Sequence, residues 1–132
     1  MSKIDWAKKV TVAAKTEAAR EGMKAKIKSQ RDKAMRAGIE MQGMTLDTDD
    51  KSQARITGAA LAAQIDPETE IRWKTPQGFV TLDAPTIIAI AQAVRSRVQD
   101  CFDREDELLA DLAEADDPAA LDPTTGWPGG AE

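Results

Sequence analysis

The sequence contains no histidine and no tyrosine, a single cysteine and only five aromatic residues in 132. Lacking His, it has neither the usual general base near neutral pH nor the commonest zinc ligand. A lone Cys101 excludes an intrachain disulfide and any cysteine cluster for a metal. With no His to activate it, that thiol reads as a small packed hydrophobe rather than a nucleophile. Phosphate loops, zinc signatures, nucleophile elbows and dinucleotide fingerprints are all missing. No apolar run approaches the roughly 18 residues of a membrane span. Met1-Ser2-Lys3-Ile4-Asp5 has no apolar core of a secretory signal, so a cytosolic compartment is expected.

The chain does have alanine, charge and a few well-placed glycines. Its hydrophobic fraction of 42% is carried largely by Ala, which implies a small core that oligomerisation would help. The net charge of −5 hides a steep gradient. Residues 1–37 hold 11 Lys/Arg against 4 Asp/Glu, whereas residues 100–132 hold 1 against 11. A chain so polarised can join head to tail or pair its own two ends.

Residues 1–37 read as a basic N-terminal helix. Ser2 and Asp5 have capping-box spacing, Gly22 is a candidate break, and Gly38 suits the position just past a helix end. Met23, Ile27 and Ala34 form a narrow stripe that needs a partner helix. Residues 38–115 read as a hairpin–helix–hairpin–helix module. The first hairpin turns at Gln42-Gly43. Thr48 or Asp49 caps a helix whose expected apolar face is Ala54, Gly58, Leu61, Ala62 and Ile65, ended by Asp66-Pro67. Gly58 in mid-helix predicts a close approach by another backbone. The second hairpin turns at Thr75-Pro76-Gln77-Gly78, with Ile71, Trp73, Val80 and Leu82 on its apolar face and Trp73 expected to anchor the core.

Asp83 then caps a long helix, with Pro85 tolerated in its first turn. Ile87, Ala91, Val94, Val98, Cys101, Leu108 and Leu112 make a continuous apolar seam that Glu105 interrupts. About 32 residues of helix, roughly 48 Å, exceed what a small core can cover. Its distal half, Phe102 to Leu112, should extend outward or meet another chain. Residues 116–132, rich in Pro, Gly and Asp, read as a disordered acidic tail in which Trp127 is either a docking anchor or inert. The fold class is thus α+β and mostly helical: a long N-terminal helix, two short β-hairpins, a middle helix and a long C-terminal helix with that tail. The candidate partner-binding residues are Met23, Ile27, Phe102, Leu108, Leu112 and Trp127.

Other charged groups have plainer readings. The carboxylates from Asp103 to Asp117 form a solvated face rather than a metal site, and Asp47-Thr48-Asp49-Asp50 lacks the Gly and distal Glu of a calcium loop. Lys24, Lys26, Lys28, Arg31, Lys33 and Arg36 spread around a helix without interleaved aromatics. That favours a solvated or partner-facing surface over nucleic-acid readout. No catalytic, cofactor-binding or metal-binding residues are assigned.

An ordered set of short features carries a family resemblance. It comprises Arg31-Asp32, Gly38, Gly43, Asp47-Thr48-Asp49, Ser52-x-Ala54-Arg55-Ile56-x-Gly58-Ala59, Trp73, the run Gly78-Phe79-Val80-Thr81-Leu82-Asp83-Ala84, and the helix bearing Ala93-Val94 and Cys101. Across roughly residues 24–112 the chain resembles a domain of unknown function found in tailed bacteriophages and prophages. That domain often forms the C-terminal part of tail-fibre assembly and other tail proteins. The resemblance implies a bacteriophage structural or assembly role, tail or fibre proteins as partners, homo- or hetero-oligomers, and a location in the host cytoplasm or the virion tail. It implies no enzymatic activity and no cofactor. The alternative is a DNA-associated or regulatory phage protein using the basic helix.

Overall fold

A glycine three residues past a helix end, then a tight turn, set the first half of the fold. In the computed structural model, which describes residues 3–129 and their side chains from residue 11 on, α1 spans Lys3–Met35. The capping box at Ser2 and Asp5 lies outside the described residues. Gly22 does not break α1; the helix runs straight through it, since one Gly among strong helix formers costs only about 1 kcal/mol. Gly38 follows with φ +84°, and a Cβ there would stand 3.0 Å from the Leu46 carbonyl oxygen. Strands β1 (Ile39–Met41) and β2 (Met44–Leu46) then pair across Gln42-Gly43, whose φ values of 53° and 77° are both positive. Two positive φ angles define the primed turn that suits hairpin twist.

Thr48 fastens this corner. Its hydroxyl accepts from Gly38 N–H at 2.9 Å and donates to the Met35 carbonyl at 2.7 Å, so the end of α1 and the entry to α2 share one buried side chain. Helix α2 spans Asp50–Ile65 and ends at Asp66, as Asp66-Pro67 predicts. Strands β3 (Glu70–Thr75) and β4 (Gly78–Asp83) form the second two-stranded sheet, with Trp73 opposite Val80 and Ile71 opposite Leu82. Asp83 accepts from Thr86 N–H at 3.0 Å and so caps α3, Ala84–Glu114.

The seam along α3 serves two cores. Its first half, with Ile87, Ile90 and Val94, packs with Ile39, Leu46, Leu82 and the α2 residues Ile56, Ala59 and Ala63. Its second half, with Cys101, Leu108 and Leu112, packs with Met23, Ile27 and Ala34 of α1. The second half of the basic helix, from Arg20 on, therefore lies along the acidic distal half of α3.

The α+β, mostly helical architecture agrees with the sequence pattern, and further details besides Gly22 differ. The α2 face expected inward, Ala54, Gly58, Leu61, Ala62 and Ile65, is exposed; Leu61 is 59% and Ile65 76% accessible. Alanines surround α2, so spacing alone does not distinguish its faces, and β-branched Ile56 turns inward instead. Gly58 meets no other backbone: nothing lies within 4 Å of where its Cβ would stand. The tail is ordered over its described part. Residues 116–129 make a 3₁₀ turn at Pro118–Ala120 and return along α1 and α3, burying Trp127. Its indole N–H donates to the Pro123 carbonyl at 2.8 Å, which closes the tail into a loop around the ring.

Candidate functional site

Five of the six residues expected to meet a partner are enclosed by the chain itself. Met23, Ile27, Leu108, Leu112 and Trp127 form one buried cluster with Cys101. The distal half of α3 needs no second chain, because α1 and the returning tail cover it. Polar contacts seal the cluster. Arg20 donates to the backbone carbonyls of Leu112 and, at 3.3 Å, Ala115 at the end of α3. Arg104 Nε donates to the Thr125 carbonyl at 3.0 Å. Phe102 alone stays exposed, with the Arg31 guanidinium 5.0 Å from its ring centre. Burial raises the Cys101 thiol above its ordinary pKa, which suppresses the thiolate and suits a packing role.

A groove open to a ligand lies elsewhere, between α2 and the second hairpin. An open groove of about 740 Å³ is lined by Asp47, by Ser52, Arg55, Gly58, Ala59 and Ala62 of α2, and by the hairpin from Ile71 to Pro76 together with Phe79. Arg55, Gly58, Ala59 and Ala62 follow a spacing of three, one and three, a single stripe of the helix. Small side chains along that stripe leave the wall flat, and Gly58 leaves open space where a larger residue would project. Trp73 is half-buried: it packs against the first core and also lines the groove. Phe79 is 61% exposed on the polar face of the hairpin, with the Arg72 guanidinium 5.6 Å from its ring centre.

Arg55, Arg72 and Lys74 face the groove with one carboxylate, Asp47. At the rim the Ser52 hydroxyl donates to the Asp49 carboxylate, holding it below its ordinary pKa and making it a weak base. The arrangement therefore offers charge, aromatic faces and apolar contact. Among the described residues no group of three or more His, Cys, Asp or Glu could hold a metal ion. No helix there is long and apolar enough to cross a membrane.

Spacing did not single out Arg55, Arg72, Lys74 or Phe79 as site residues. One signal was available for Phe79. It breaks the alternation that puts Val80 and Leu82 inward, so it is an aromatic on the hairpin's polar face.

Against known proteins, residues 18–125 match the family described as a domain of unknown function (DUF4376). The chain belongs to that family. In this DUF4376 protein the match takes in the second half of α1, both hairpins, α2, α3 and most of the tail. The first core, the groove and all of the second core except Trp127 thus fall within the family domain. No curated protein and no solved structure matches the chain.

Proposed function

We propose that this DUF4376 protein is a bacteriophage tail-associated structural or assembly protein, a tail-fibre assembly factor or small virion component, acting by protein–protein binding. The observation that carries the binding part is the groove beside Gly58, where a flat helix wall, two aromatics and three cations meet without a buried reactive group. Exposed aromatics and arginines are the side chains that dominate interface energetics. The resemblance of the Arg31-to-Leu112 features to domains of phage tail proteins supports the tail context, with the host cytoplasm during assembly or the virion tail as its location.

The test is fractionation of phage-producing cells and purified particles, followed by mass spectrometry for this chain and its cross-linked neighbours. The expected result is the chain in particles, or in a complex with a tail or fibre protein during assembly. Its absence from both sinks the reading. The exposed row of Lys24, Lys26, Lys28 and Lys33 on α1 favours the DNA-associated alternative. Two arginines of that helix, Arg20 and Arg31, are instead engaged inside the chain. Duplex DNA affinity that falls steeply with salt would support the alternative.

A further inference from the structure

One wall of the groove runs along β3. Among the described residues β3 is paired in a sheet with β4 alone, and β2 lies close to it without pairing. Side chains along a strand point alternately to opposite faces. A groove lined in succession by Ile71, Arg72, Trp73 and Lys74 therefore follows the edge of β3 rather than either face. The facing wall is the flat stretch of α2 at Gly58 and Ala62. An unpaired edge presents a row of backbone N–H and C=O groups to any extended chain beside it.

We propose that this edge takes an extended acidic segment of a partner protein, added to β3 as a third strand. The idea rests on the binding reading above and names the partner's chemistry. Charge selects acidity, since Arg55, Arg72 and Lys74 outnumber Asp47 in the lining and Asp49 at the rim. Strand geometry selects alternation. Acidic side chains on the outer face meet the exposed Arg72 and Lys74, while small or apolar ones on the inner face turn towards Trp73 and the space over Gly58. A second copy is a poor occupant, because antiparallel pairing of two β3 edges brings Arg72 and Lys74 of each copy together. Single-stranded nucleic acid could use the same cations, but Arg72 already stacks on Phe79, and bases would leave the strand edge unpaired.

The test is titration of the full-length, isotope-labelled protein by NMR with a blocked decapeptide alternating Asp and Val. Controls are the Lys/Val analogue, the acidic peptide N-methylated at alternate amides, and a short single-stranded DNA. The acidic peptide should shift amides of residues 55–62 and 71–75 and bind about tenfold tighter than either peptide control. Gly58→Leu should weaken that binding about tenfold while melting no lower than wild type, because the new side chain enters open space on an exposed helix turn. Lys74→Glu, at an exposed position, serves as an independent variant and should narrow the preference for the acidic peptide.

Equal affinity for the acidic and basic peptides overturns the proposal. So does binding unaffected by N-methylation, tighter binding of the DNA, self-association through β3, or indifference to both variants. If a complex with a tail protein exists and both variants leave it intact, the groove is discarded and the proposed function stands. If no such complex exists and the chain is absent from particles, that function fails whatever the peptides do.

Discussion

Arg31 on α1 grips Glu105 on α3, one guanidinium nitrogen donating to both carboxylate oxygens at 2.9 and 3.0 Å. Their side chains are only 17% and 15% exposed. Glu105 is the polar residue that interrupts the apolar seam of α3, and its partner comes from the opposite end of the chain's charge gradient. Arg31 also holds Asp32 at 2.9 Å and stacks on Phe102. Its hydrogen bonds to Asp32 and then to Glu105 raise its pKa further above an already high value, so it stays charged throughout.

The pair should therefore matter as a unit. Glu105→Gln weakens it and should cost about 1.5–3 kcal/mol, the range for hydrogen bonds to charged groups. Replacing both members, Arg31→Met with Glu105→Leu, should recover most of that loss, because an apolar pair of similar volume removes two desolvated charges together. Denaturant midpoints of the singles and the double settle it. Purely additive losses would mean the two residues act independently.

Thr48 predicts a different signature. Thr48→Val keeps the shape but strands the Gly38 N–H and the Met35 carbonyl at a buried corner, at a cost of about 1–3 kcal/mol. Thr48→Ser keeps both hydrogen bonds and should lose less. If Val and Ser variants unfold at the same midpoint, the hydroxyl is not what fastens α1 to the first hairpin.

Trp127 closes the second core, so removing it should release the tail rather than unfold the protein. Truncating a fully buried Trp costs about 3–5 kcal/mol. Here the loss is capped, because the segment after Glu114 can detach. Trp127→Ala should make residues 116–129 sensitive to limited proteolysis while the first core stays resistant. Deleting the tail after residue 115 should expose Met23, Ile27 and Leu112 and raise self-association above that of the full chain. A truncated chain that stays monomeric with an unchanged melting temperature contradicts this packing.

Acid should act first on the helix caps. Hydrogen bonds from Thr86 hold the Asp83 carboxyl below its ordinary pKa of 3.8. A carboxyl lowered on folding stabilises the fold above its unfolded pKa, and that contribution disappears as the pH falls through the folded value. The wild-type advantage over Asp83→Asn should be constant above about pH 5 and narrow below about pH 4. A gap that widens on acidification would mean the cap does not favour the ionised form. Asp49 and Asp122 shift the same way, through Ser52 and Thr124, and add to the acid sensitivity.

What the sequence determined by itself was local. Gly38 and Gly43 adopt the positive φ their places demanded, Asp83 caps α3 through a residue three positions on, and the hairpin register follows from alternation and turn length. Each of these depends on neighbours within a few residues. The α3 seam was also legible, since 31 residues carry enough periods to mark one face.

Tertiary structure decided which surfaces face each other. Alanine is nearly as content in water as in a core, so α2 had no strong preferred face until Ile56 met the α3 seam. Acidity and proline argued for a loose tail, but Trp127 joins one buried core with Met23 and Ile27, about a hundred positions away in the chain. The groove depended on this outcome too. Gly58 signalled a close approach only if its side of α2 turned inward; turned outward, its missing side chain leaves space in the groove beside β3.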